Sequence, residues 1–199
     1  WMVNDLGTNS LGSYVMMDRN LGATSKTDEG AYYQYGRKDP FIAGKFGVST
    51  SRPATGEDAA ATPDVFYYSN TENVTGWAMS SQTSWDSSSK SVTDPCPPGY
   101  KVPSDNLWTG VSLKANGTTS ATYGDDIIFP ISGSIEYGDR STTNGSYHNY
   151  GVLWNSSSNC LYYELWRTGG FLSGKYHISQ EVRSDIDTAV GANVRCVRK

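Results

Sequence analysis

Histidine, cysteine and paired carboxylates are the side chains best suited to chemistry near neutral pH, and this chain is sparing with all three. It has two histidines, His148 and His177, each in polar surroundings rich in Gly and Tyr. A lone histidine of this kind reads by default as a surface residue, because a general base needs a substrate proton within hydrogen-bond reach. Asp125-Asp126 and Asp185-x-Asp187 are the carboxylates that could be imagined as a glycosidase pair or a calcium site. Calcium takes six or more oxygens and no loop here supplies that pattern, so turn-forming aspartates are the better reading. No G-x-S-x-G elbow and no Gly-rich phosphate loop is present. Asn-x-Ser/Thr triplets at Asn73, Asn116, Asn144 and Asn155 follow from the composition alone. Nothing in these types and spacings argues for an enzyme, a cofactor or a metal.

Three cysteines, Cys96, Cys160 and Cys196, are too few for a disulfide scaffold and lack metal-site spacing. Pairing Cys96 with Cys196 would close a loop of 100 residues, worth roughly 4–5 kcal/mol in the chain-entropy description. Three buried thiols fit the sequence equally well. A different vocabulary fills the last third. From Thr142 to Lys199 the chain is crowded with Tyr, Ser, Asn and Gly among single Trp, Arg and His residues. Tyr and Trp give rigid contact area and Ser, Gly and Asn adapt, which is the make-up of recognition loops. An ordinary polar β-rich segment has the same composition.

The elements that would hold these residues are short. The helix candidates are PSDNLWTGVSLKA, where Ser104 could cap, and AYYQYG from Ala31 to Gly36. Strand-like runs are SYVMMD (Ser13 to Asp18), IIFPIS (Ile127 to Ser132), GVLW (Gly151 to Trp154), CLYYELW (Cys160 to Trp166) and NVRCVR (Asn193 to Arg198). Stretches such as SSQTSWDSSSKSVTDP between them are loops, since apolar anchors recur on both sides. We therefore expect one α+β domain over residues 1–199, with two or three short helices and long ordered loops. The 199 residues carry a net charge of −4, so no basic field exists to hold nucleic acid. No run of eighteen apolar residues crosses a membrane. The start at Trp1 reads as that of a fragment of a longer product.

VMMDRNLGATS (Val15 to Ser25), YYQYGRKDPF (Tyr32 to Phe41), DPCPPGYKVPS (Asp94 to Ser104), FPISG (Phe129 to Gly133), LWNSSS (Leu153 to Ser158) and the closing VRCVRK resemble the Fib-succ major paralogous domain family. That family is similar in fold to C-type lectins and formylglycine-generating enzymes. The resemblance runs from Val15 to Lys199 and implies that the first and last strands pair. Arg19 or Arg195, if buried, would take carboxylate or carbonyl partners, with Asp18 or Asp39 the obvious suppliers. Surface location permits a Cys96–Cys196 bridge, and the two are expected to lie together, bonded or as buried thiols. Cys160 would be partly exposed and dispensable.

Domains of this family occur on bacterial surface proteins and pilus tips. A subset resembles the variable proteins of diversity-generating retroelements, whose gene ends are altered at adenines. Altering the adenines of an Asn codon can give Tyr, His, Asn, Ser, Asp, Gly, Cys, Arg, Leu, Phe, Ile or Val, but not Trp, Lys, Glu, Gln or Met. Ser146 to His177 is rich in the first set, leaving Trp154, Glu164, Trp166 and Lys175 as fixed scaffold. Trp154-Asn155-Ser156 lacks the aspartate of a calcium-lectin motif and no Glu-Pro-Asn is present, which argues against a calcium-bridged sugar.

The resemblance thus implies a non-enzymatic, adhesin-type binding domain, extracellular or on the cell surface, with 142–199 carrying the ligand site. Its partner would be a host or bacterial surface protein or a glycan. A membrane would be met only through the rest of the pilus or surface protein. The alternative is a structural subunit of a pilus or surface layer without its own ligand. Alternation in CLYYELW sets Tyr163 outward if Trp166 packs inward. Tyr163 is then expected to join Tyr147, His148, Tyr150, Leu153, Asn155, Arg167, Phe171, Tyr176 and His177 in one exposed patch of residue types common in binding hot spots.

Overall fold

Short apolar runs broken every few residues by glycine, asparagine or proline leave little room for helices, and strands dominate. The computed structural model describes residues 8–11, 14–71, 74–80, 82–85, 88–144, 148–169 and 174–198. The first strands are β1 (Thr8–Leu11), β2 (Tyr14–Met17), β3 (Tyr32–Gln34), β4 (Gly47–Ser49), β5 (Val65–Tyr67) and β6 (Tyr100–Lys101). Next come β7 (Lys114–Asn116), β8 (Ser120–Tyr123), β9 (Ile127–Pro130), β10 (Ser134–Glu136), β11 (Asp139–Ser141) and β12 (Thr143–Asn144). The last are β13 (His148–Trp154), β14 (Cys160–Thr168), β15 (Lys175–Arg183), β16 (Gly191–Asn193) and β17 (Val197–Arg198).

The expected α+β class is corrected by this content: among the described residues the helical segments are two 3-10 turns, Asp58–Ala61 and Asp105–Leu107. Ser104 has the extended backbone of a cap, but its hydroxyl caps nothing. Gly110 then takes a φ of 86°, and the chain goes on into β7 instead of completing a helix. AYYQYG is also not helical. Tyr33 and Tyr35 enter one core cluster and Tyr32 another, the two-residue alternation of a strand.

Four sheets result. In the first, of order β1-β2-β17-β6, β17 lies antiparallel to β2 with Val197 opposite Met16, so the two ends of the chain pair. The Leu21 N–H donates to Val194 O at 2.8 Å and extends that seam. A Cys96–Cys196 disulfide closes it from the side. The largest sheet has the order β11-β10-β16-β13-β14-β15, with β3 on β16 and β12 on β13. The pairs β4-β5 and β7-β8-β9 form two small sheets.

The hairpin β13–β14 divides the interior. On one face Tyr150, Val152, Trp154, Cys160 and Tyr162 pack with the disulfide. On the other Leu153, Leu161, Tyr163 and Leu165 pack with Met16, Trp108 and Phe129. Cys160 is therefore fully buried, not partly exposed. Burial, which disfavours the thiolate, pushes its pKa up to about 12.

Two outcomes follow from that burial. Cys160 should resist iodoacetamide in the folded protein and react once it is denatured, with one thiol per chain until the disulfide is reduced. Cys160→Ser should destabilise the fold by about 1–3 kcal/mol, because a hydroxyl replaces a buried thiol in apolar surroundings, and Cys160→Ala should cost less. Since the folded pKa lies above the ordinary value of 9.0, the thiol's contribution is complete below pH 9 and fades as pH rises toward about 12. The Cys160→Ala variant should lose that part of the alkaline slope.

Candidate ligand-binding groove

The expected patch does not assemble. Tyr150, Leu153, Asn155 and Tyr163 are buried, Leu153, Asn155 and Tyr163 completely. Both faces of β13–β14 are covered, so alternation exposes neither. The Tyr163 hydroxyl donates to Pro130 O at 2.5 Å, and its ring lies across Gly151, where a Cβ would come within 2.3 Å of it. Tyr150 stacks on Tyr162 at 5.6 Å and bonds Ser134 Oγ at 2.8 Å; burial raises its pKa. Asn155 Oδ1 accepts from the Ser157 N–H at 3.1 Å and shapes a turn. Tyr147 and Phe171 lie outside the described residues, as does the His148 side chain.

Arg167, Tyr176 and His177 do reach the surface, at the end of the β14–β15 hairpin where the two strands are joined. Arg167 lies over the Tyr176 ring at 5.7 Å, and His177 stacks on Trp166 at 5.6 Å. These cross-strand pairs are adjacent in register, so they occupy opposite faces of the hairpin. Trp166 is half-buried here, and Tyr163 has the core position instead.

A groove that the sequence did not point to runs elsewhere, along the β10–β11 hairpin and the segment after β15. Its first part, about 280 Å³, is lined by Ser134, Glu136, Tyr150, Tyr162, Arg183 and Ile186, among others. Glu136, Ile186 and Val190 continue into a second part of about 200 Å³. Tyr68, Ser69, Tyr137 and Asp187 continue from there into a third of about 560 Å³. Of its lining residues, the sequence singles out Tyr150 as a member of the expected patch and Asp185-x-Asp187 as turn formers. The remaining signal is local: Tyr137-Gly138 sits between two short strands, both with positive φ (52° and 88°), as a two-residue type I′ hairpin turn requires.

The core fixes each wall. Gln34 Nε2 donates to Tyr67 O and Ala189 O at 2.5 and 2.7 Å, tying β3 to both segments that flank Tyr68 and Asp187. Arg37 donates to Val65 O at 2.8 Å and to Gln34 Oε1 at 2.9 Å, with its guanidinium 5.4 Å from the Trp77 ring. Asp187 Oδ1 accepts the Gly76 and Ala189 N–H groups at 2.7 and 2.9 Å. Arg183 covers the Tyr162 ring at 4.9 Å and pairs with Asp185 at 2.8 Å; that hydrogen-bonded pairing raises the arginine's pKa and lowers the aspartate's.

The groove thus offers aromatic faces and carboxylates. Cys160, buried and neutral, is no nucleophile, since attack needs an accessible thiolate. Among the described residues no group of three His, Cys, Asp or Glu could hold a metal ion. No protein-family model matches the chain, and no curated protein or solved structure compared with it matches either.

Stability measurements separate core from groove. Tyr163→Ala should cost about 3–5 kcal/mol, as for other large buried rings. Tyr137, 68% exposed and in the left-handed region, should tolerate Asn with a stability change below about 1 kcal/mol, because Asn adopts that backbone readily.

Proposed function

We propose that this chain is a non-enzymatic, adhesin-type ligand-binding domain displayed on a bacterial surface or pilus tip, and that its ligand lies along the β10–β11 groove. The observation that carries the reading is Tyr137. It is a large aromatic left 68% exposed at the groove rim on a backbone with φ 52° that suits Gly or Asn far better. Residues held in such conformations cluster at ligand sites. The Cys96–Cys196 bridge supports an extracytoplasmic location, because disulfides persist in oxidising compartments.

The retroelement part of the reading is narrowed by the packing. Adenine-directed changes at Tyr150, Leu153, Asn155 or Tyr163 would strike the core, so the variation we propose falls at exposed positions such as Arg167 and Tyr176. Sequences of sister genes check this: variation concentrated at the four buried positions would contradict it.

The function itself is tested on arrays of glycans and of host and bacterial surface proteins. The wild-type domain should bind a defined subset, and Tyr137→Asn should lose that binding while keeping its melting temperature. Binding that survives the substitution would remove the groove from the proposal. No binding at all would favour a structural subunit.

A further inference from the structure

At one point Tyr68, Tyr137 and Asp187 meet, since all three line both the second and the third parts of the groove. The two rings stand at 80° with centroids 5.7 Å apart, forming a corner. Asp187 Oδ1 is held by two backbone N–H groups, which fixes the half-buried carboxylate in place. Among the described residues no cation pairs with Asp187, nor with Glu136 nearby. Among the described residues, the basic one lining the groove, Arg183, is engaged by Asp185, Glu181 and Tyr162.

An anchored carboxylate beside two perpendicular aromatic rings attracts an organic cation, because ring faces and carboxylate present negative potential to the same small volume. The fold uses this chemistry internally: Arg37 lies 5.0 to 5.6 Å from the rings of Phe41, Tyr67 and Trp77. In the groove the corresponding corner opens to solvent. We infer that the Tyr68–Tyr137–Asp187 corner takes a lysine ammonium group carried on an extended segment of a partner protein.

The extended carrier follows from shape. The corner sits between connected depressions of about 200 and 560 Å³, room for a peptide on either side of the lysine. Exposed Val74 also lines the larger of them, where the aliphatic stem or a neighbouring apolar side chain would rest. The net charge of −4 favours approach of a basic partner. A neutral glycan would leave Asp187 and Glu136 without a counter-charge.

This inference rests on the proposed ligand-binding reading, and the experiment separates the two. The domain is titrated with acetyl-Gly-Lys-Gly-amide and with the same peptide carrying norleucine, a chain of similar length without the charge, while amide NMR shifts are followed. The lysine peptide should shift the amides of residues 136–138 and 186–189, and the norleucine peptide should bind at least about tenfold more weakly, the size of effect a desolvated cation–aromatic contact gives. Asp187→Asn keeps the oxygen that accepts the two N–H groups and removes the charge. It should weaken the lysine peptide about tenfold, as should Tyr137→Asn, and added salt should weaken it further. Dispersed amide spectra verify that both variants are folded. Equal binding of the two peptides, or lysine-dependent shifts only elsewhere, would overturn the inference. If neutral oligosaccharides move the corner amides and the lysine peptide does not, the cation inference fails while the ligand-binding groove stands.

Discussion

Trp154 and Cys160 face one core and Leu153 and Leu161 the other, so the β13–β14 hairpin has no solvent side. The two larger core clusters are built around it. Met17 of β2, the disulfide, β3 and β16 close one face, while Met16 and Val197 turn to the other. The turn at Asp105–Leu107 with β8 and β9 closes the other. A nine-residue strand such as β14 cannot shed either layer without exposing several aromatic or aliphatic side chains, each worth about 1.5–3 kcal/mol of burial. Ligand contacts are consequently displaced to the sheet margins, where β10–β11 and the chain after β15 leave the layers.

Burying so much of a polar chain strands charges inside, and the fold answers each with local partners. Arg195 is fully buried and has no carboxylate on its guanidinium. It donates to Asn20 Oδ1 at 3.1 Å and to Ile128 O at 2.7 Å, and lies 4.4 Å from the Phe129 ring. Desolvation lowers its pKa to about 10, which still leaves it charged at neutral pH. The Asp18 carboxylate serves Arg19 instead. Asp94 is likewise buried, but accepts from Cys96 N–H, Val102 N–H and Lys90 Nζ, which sets the Pro-rich turn for the disulfide. Such networks are unforgiving, since removing one partner leaves another buried group unsatisfied.

The same economy shapes the groove. Gln34 and Arg37 place their hydrogen bonds on the backbone around Tyr67 and Ala189, so the walls carrying Tyr68 and Asp187 are both tied to β3. Tyr137 is placed differently, by a two-residue turn whose left-handed backbone aims a ring outward. One wall is thus rigid by burial and the other by turn geometry, the pre-organisation that keeps the entropic cost of binding low.

Some of this was readable in the residues alone. The apolar runs SYVMMD, CLYYELW and NVRCVR marked β2, β14 and the closing strands, because side-chain type and two-residue alternation are local properties. The resemblance placed the chain ends together and Cys96 near Cys196, as found. Which face of a strand meets solvent is not local. Tyr163 and Trp166 could be assigned only by knowing that a second layer covers both faces of β14, so the sequence put them the wrong way round. PSDNLWTGVSLKA carried a helix start but no means of knowing that β15, through Gln180 to Val111 and Leu113, would capture its second half. Composition by itself determined a chain of net charge −4, rich in Tyr and Gly, whose cysteines could pair. The groove was decided by tertiary structure, because Tyr68, Tyr137 and Asp187 are far apart in the chain and become neighbours only when Gln34 and the turn at Gly138 bring their backbones together.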